Sequence, residues 1–241
     1  MSIRYPHILL SVICLLFLAA SPSGLQAQTH GGQVPGRVFS LVAWATLPHP
    51  ELYYQNGNTM SELKVKIGRR SKSYPFSVEG VLKIFTVERD LEGKEEYKLV
   101  GQASMLEGSK EMLFVVVANK RATGLPLAMF GINDSLDVFP AGSFRFMNFT
   151  SVPMEGHFNG ETFRLKPGKT TVVESKSESG GGLLPFYIRT LDGVMLYETR
   201  LLGQPSGREI VFITPPSNES GRVNIKFLPQ TVPLVPAKLP K

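Results

Sequence analysis

Cysteine is almost absent: the 241 residues contain one, Cys14. It lies inside the apolar run Ile8 to Ala20, so it cannot be the acylated first residue of a lipoprotein, which follows such a run. Without that run the chain would carry no thiol, which excludes disulfides, iron–sulfur clusters and cysteine-based zinc sites. Histidine is scarce too, at four residues, and no pair stands at metal-ligand spacing. After residue 27 no segment repeats apolar residues at helical spacing for three turns, so no amphipathic helix is expected. Nor is charge of one sign concentrated. Lys and Arg number 26 against 20 Asp and Glu, a formal net of +6 that falls by one if Arg4 is removed. That balance favours solubility and a weak attraction to anionic surfaces; it is no nucleic-acid signature.

What is present begins with a leader. Arg4 precedes the apolar run, Pro22 breaks it, and Leu25-Gln26-Ala27 offers a small-residue exit before Gln28. These are the three parts of a secretory signal peptide. Residues 1–27 are therefore expected to be removed, with cleavage after Ala27 or, as second choice, after Ser23. The run is shorter than the roughly 20 residues a spanning helix needs. The mature chain is expected to be periplasmic or extracellular, with no membrane span.

Beyond the leader, short runs rich in Val, Ile, Phe, Tyr and Leu alternate with Gly, Pro, Asn and Ser. Thirteen strands are expected. They run over 37–45, 62–67, 81–88, 97–103, 111–118, 126–132 and 143–149, then 162–165, 170–174, 184–190, 195–201, 209–214 and 223–228. Leu63, Val65 and Ile67 alternate with Glu62, Lys64 and Lys66, as on a sheet with one wet face. Leu113-Phe114-Val115-Val116-Val117 is apolar on both sides and reads as a central strand. Asn159-Gly160 and Asp192-Gly193 are hairpin turns, because both residues tolerate positive φ. Strands at this spacing mean a sandwich or barrel.

A faint repeat suggests that one module was copied. Gly36, Asn56, Leu63, Leu82, Tyr97 and Glu111 match Gly142, Asn159, Leu165, Leu184, Tyr197 and Glu209, with an offset that shrinks from 106 to 98. The expected fold is all-β, two tandem immunoglobulin-like β-sandwich domains over 34–133 and 134–229, joined by a modest interface. A Pro-rich tail, 230–241, follows. Asp134 and Asp137 are read as turn or capping residues at the boundary.

The chain resembles a family of uncharacterised exported bacterial two-domain β proteins. The likeness rests on Tyr53-Tyr54-Gln55-Asn56-Gly57, on Gly68-Arg69-Arg70-Ser71, and on Asn133-Asp134-Ser135 leading into Phe139-Pro140-Ala141-Gly142-Ser143-Phe144-Arg145-Phe146-Met147-Asn148. It continues through Phe163-Arg164-Leu165-Lys166-Pro167-Gly168 and covers most of the mature chain. It implies export and a two-domain β architecture and brings no catalytic residues. The stretch from Phe146 to Gly168 is also similar to half of an immunoglobulin-like sandwich, which bears on fold only.

Motifs that carry chemistry fail on context. Gly168-Lys169-Thr170 lacks the first glycine of a phosphate loop, because Phe163 stands there. Ser61-Glu62-Leu63-Lys64 puts Ser and Lys three apart, which on a strand means opposite faces. His30, His49 and His157 read as exposed loop residues. No catalytic residue, metal ligand or cofactor is therefore assigned. The surface that remains is basic: Lys64, Lys66, Arg69, Arg70 and Lys72, with Tyr74 and Phe76 to stack on a sugar ring. The expected function is that of a non-enzymatic envelope or extracellular protein that binds or scaffolds a partner protein. The alternative is a module for acidic polysaccharide or another polyanion, held by Lys64, Lys66, Arg69, Arg70, Lys72 and Tyr74.

Overall fold

The computed structural model describes residues 36–76, 80–119, 123–175, 181–216 and 222–232. The expected leader, His30 and the tail from 233 onward lie outside them. The described residues belong to one compact unit, 31–241, and form sixteen strands. The first eight are β1 (Val38–Ala43), β2 (Leu52–Asn56), β3 (Thr59–Leu63), β4 (Tyr74–Pro75), β5 (Val81–Arg89), β6 (Glu95–Ser104), β7 (Glu111–Ala118) and β8 (Leu127–Asn133). The next eight are β9 (Ser143–Asn148), β10 (Met154–Phe158), β11 (Glu161–Leu165), β12 (Thr170–Glu174), β13 (Gly182–Thr190), β14 (Met195–Gly203), β15 (Gly207–Thr214) and β16 (Asn224–Thr231). The described residues are all-β, and no helix among them is long and apolar enough to cross a membrane.

The two halves share one strand plan. The first half forms sheets β4-β1-β7-β8 and β3-β2-β5-β6; the second forms β12-β9-β15-β16 and β11-β10-β13-β14, the same orders shifted by eight strands. Each first strand joins its sheet by a parallel ladder, β1 to β7 and β9 to β15, while the other strand ladders are antiparallel. A break in register also recurs, between Ile84 and Phe85 on β5 and between Ile188 and Arg189 on β13.

Three apolar cores result. Phe39, Leu41, Tyr54, Ile84 and Phe114 join the two sheets of the first half, and Phe144, Phe146, Phe158, Phe186 and Val211 those of the second. A third core, with Val42, Leu113, Val115 and Ile132 against Met147, Ile210, Phe212 and Leu228, lies between the halves. The layers therefore run as outer sheet, inner sheet, inner sheet, outer sheet. The two-sided apolar run of β7 has this cause: Met112, Phe114 and Val116 face the first core, Leu113, Val115 and Val117 the third. The expected modest contact is instead a buried seam.

The ladders correct several sequence assignments. Strand 62–67 ends at Leu63, because the chain then crosses to the neighbouring sheet, where Ile67 bridges Ala43 and is 55% exposed. Strands β2 and β4 are not expected from the sequence, and β10, expected only as the arm before the Asn159-Gly160 hairpin turn, begins at Met154. Gln230 and Thr231 belong to β16, not to the tail, and Pro229 is tolerated because β16 is an edge. Glu111 and Glu209 are not equivalent: Glu111 shares the seam side of β7 with Leu113, whereas Glu209 alternates with Val211 on the core side of β15. The ladders Phe39–Met112 and Phe144–Glu209 place Met112 opposite in role to Glu209.

Candidate functional site

The basic segment 64–72 is only partly a surface. It runs beside β1, with Ser71 N–H donating to Leu41 O (2.8 Å) and Gly68 N–H to Ala43 O (2.9 Å), so its backbone covers what would otherwise be an open edge. Lys64, Lys66, Arg69 and Lys72 are exposed. Tyr74 is not: its ring is 3% exposed in the first core against Phe39, and its hydroxyl accepts from Lys64 N–H at 2.7 Å. Phe76 is buried beside it. Neither ring has a face for a sugar, since the alternation that gave charge outward drives the aromatics inward.

Arg70 is withdrawn as well. Its guanidinium binds the Asp134 carboxylate and donates to Ser40 Oγ (3.2 Å). Asp134 also receives Arg208 Nη2 at 3.1 Å, while Arg208 Nη1 donates to the backbone oxygens of Asp134 (2.8 Å) and Phe139 (2.7 Å). Arg145 donates to Asn133 O (2.5 Å) and Val138 O (3.2 Å). The guanidinium carbons of Arg145 and Arg208 lie over the Phe139 ring, 4.4 and 4.9 Å from its centroid. Asp134 is therefore no simple turn former. Its carboxylate binds two guanidiniums, Arg70 and Arg208, and acts by charge on a third, Arg145, so that together they tie the connection between the halves to both inner sheets. Burial lowers the Arg145 pKa to about 10, with Arg208 and Arg70 adding to the effect and Asp134 opposing it. Arg145 stays charged at neutral pH, and the Nε atoms of Arg70 and Arg145 have no partner among the described residues.

A polar chain on the outer face of the second half was missed. His157 sits within β10 and not in a loop. Its ring stacks on Tyr187 at 4.3 Å, its Nε2 is 2.7 Å from Glu155 Oε1, and its Nδ1 is 2.8 Å from Thr162 Oγ1. Hydroxyl, imidazole and carboxylate thus stand in the order used to activate a nucleophile. Two features argue for a cross-strand lattice instead. Arg189 Nε also holds Glu155 Oε1 (2.6 Å), drawing off the charge that would support an imidazolium. The neighbouring cleft is lined by Tyr187, Glu198 and Arg200, not by His157 or Thr162. The hydrogen bonds from His157 and then Arg189 hold the Glu155 carboxyl below its ordinary pKa. The alternation Glu155, His157 opposite Arg189, Tyr187 is the available signal, hidden because His157 stands so close to the Asn159-Gly160 turn that it reads as a loop residue.

The seam opens at one end. Trp44 packs edge-on to Phe212 at 5.0 Å, and Phe130, 46% exposed, meets Phe149 at 5.8 Å. Trp44, Phe130 and Phe149, with Val115, Val117 and Thr214, line an apolar hollow of about 150 Å³. On the other side of Trp44, Lys226 Nζ lies 4.3 Å from the indole. No group of three or more His, Cys, Asp or Glu able to hold a metal occurs among the described residues. Compared with models of known families and with curated proteins, the chain matches none.

Proposed function

We propose that the protein is an exported, non-catalytic binding or scaffolding protein of the bacterial envelope or extracellular space, built of two tandem immunoglobulin-like sandwich domains that descend from one copied module. The likeness to immunoglobulin-like domains is one of architecture, two packed sheets over a core, which many binding modules share without a common topology. The common strand order and the recurrent register break support the copying. The observation that carries the functional reading is the seam. A third core and the Asp134 cluster hold the halves in one arrangement, so the outer sheets meet a partner protein at fixed spacing, which lowers the ordering cost of binding. Rigid presentation replaces the tethered avidity that two loosely joined modules would give.

The test joins compartment and partner. N-terminal sequencing of the protein recovered outside the cytoplasm should begin at Gln28. Cross-linking in intact cells should join one recurrent protein to the outer sheets at defined positions. Full-length protein in the cytoplasm, or scattered cross-links, would count against the reading.

The second reading, a polyanion module, is favoured by the four exposed cations Lys64, Lys66, Arg69 and Lys72 within nine residues. Binding to acidic polysaccharide should then weaken with salt as the screening length falls below about 10 Å. Lys66→Ser with Arg69→Ser should abolish it. Arg70 is unsuitable for this test because it holds Asp134.

A further inference from the structure

The internal repeat supplies its own control, since each core position of one half has a counterpart in the other. At one end of the first core that position is Met112, 1% exposed. Its counterpart on β15 is Glu209, whose side chain points to the interior of the second sandwich between Phe144 and Pro229 on the adjoining strands. A carboxyl thus replaces a thioether at a core-facing site. It has no hydrogen-bond or ion-pair partner among the described residues. The neighbouring Arg208 lines the same pocket but does not bond to Glu209: its guanidinium is taken up by Asp134, the Phe139 carbonyl and Gln230.

Glu209 lines a pocket of about 220 Å³ together with Phe144, Leu202, Gln204, Gln230 and Thr231. Its walls mix apolar, amide and hydroxyl groups with Arg208, whose Nε already occupies Gln230 Oε1 at 2.9 Å. Glu209 is half-buried, and an anion partly withdrawn from water without a bonded counter-charge is stabilised when the site admits a cation. A divalent metal would want several anionic oxygens, and the pocket has one carboxylate. An organic cation of single charge with a short apolar stem matches both the charge and the walls. We propose that this pocket binds a primary alkylammonium group, with Glu209 as its counter-ion and Phe144 and Leu202 against its methylenes. The pocket shares no lining residue with the basic segment. Burial alone pushes the Glu209 carboxyl pKa up in the empty pocket, so amine binding should be weaker in mildly acid solution. The charged and titratable groups around it are Arg208 on its own strand and none among the other lining residues.

Calorimetric titration of the full chain at pH 7 tests this with three probes: n-butylammonium, putrescine, and Nα-acetyl-lysine N-methylamide. Saturable one-to-one binding is expected, tighter for the lysine probe if the natural source is a peptide and for putrescine if it is a free polyamine. Glu209→Gln should weaken binding about tenfold or more, the scale of a charged hydrogen bond. Glu209→Met, which installs the first half's residue, should abolish binding while the melting temperature is held or raised. The proposal is overturned if no probe saturates, if either variant binds as the parent does, or if calcium ion binds at Glu209 while the amines do not.

Discussion

Asp134 faces Arg70 and Arg208 from the one connection between the halves, with a side chain only 4% exposed. Asp134→Asn keeps its shape and removes its charge, leaving two buried guanidiniums without a counter-ion. A loss of about 3–5 kcal/mol is expected, readable as a lower urea midpoint at pH 7. Glu209 makes the opposite demand. Its pKa is raised by burial, so the folded chain keeps that proton to higher pH than the unfolded chain. The stability this contributes is complete below the unfolded value, about 4.3, and is lost as pH rises through the folded value. Glu209→Gln does not titrate, so its melting temperature relative to the parent should climb between pH 4 and pH 7; a constant difference would show that burial does not govern the group. Neither role was legible in the sequence. Asp134 sits among turn formers, and Glu209 matches Glu111 letter for letter although the two point to opposite faces. Identity of type concealed a one-residue slip, which on a strand reverses the side-chain direction.

Paired hairpins show why some elements were legible and others not. Leu52 pairs with Leu63 and Met154 with Leu165, so Tyr54 opposite Ser61 corresponds to Gly156 opposite Phe163. The first half fills the site from β2, the second from β11. A Cβ at Gly156 would lie 2.5 Å from the Phe163 ring. Gly156→Ala should therefore cost about 1–3 kcal/mol through overpacking. Phe163→Ser in the same chain should recover part of it, and the double-mutant cycle in chemical unfolding measures this coupling. The swap also explains why β10 is legible only through its turn: glycine interrupts its apolar alternation because the partner strand supplies the volume. By contrast, Asn159-Gly160 was readable as a turn, and both residues have positive φ, 47° and 82°. The two-sided run of β7 was readable as central. What lay on its second side was not, since periodicity says that a face is buried but not by what.

Trp44 is the only tryptophan and lies against Phe212 across the seam. If the third core binds the halves into one cooperative unit, Trp44 fluorescence and far-ultraviolet dichroism should lose their signals at one denaturant concentration. Phe212→Ala should lower stability by about 3–5 kcal/mol and separate the two transitions. The contacts across the seam are reciprocal. Val42, Leu113, Val115 and Ile132 correspond in register to Met147, Ile210, Phe212 and Leu228. Trp44 meets Phe212 as Phe149 meets the hollow wall at Val115, and Lys226 caps Trp44 as Phe130 caps Phe149. The seam is thus built like the interface of a two-fold dimer whose subunits happen to share one chain. Each half carries a surface shaped for something close to its own copy. Two molecules that opened at the connection could exchange halves and close again, with every buried contact restored.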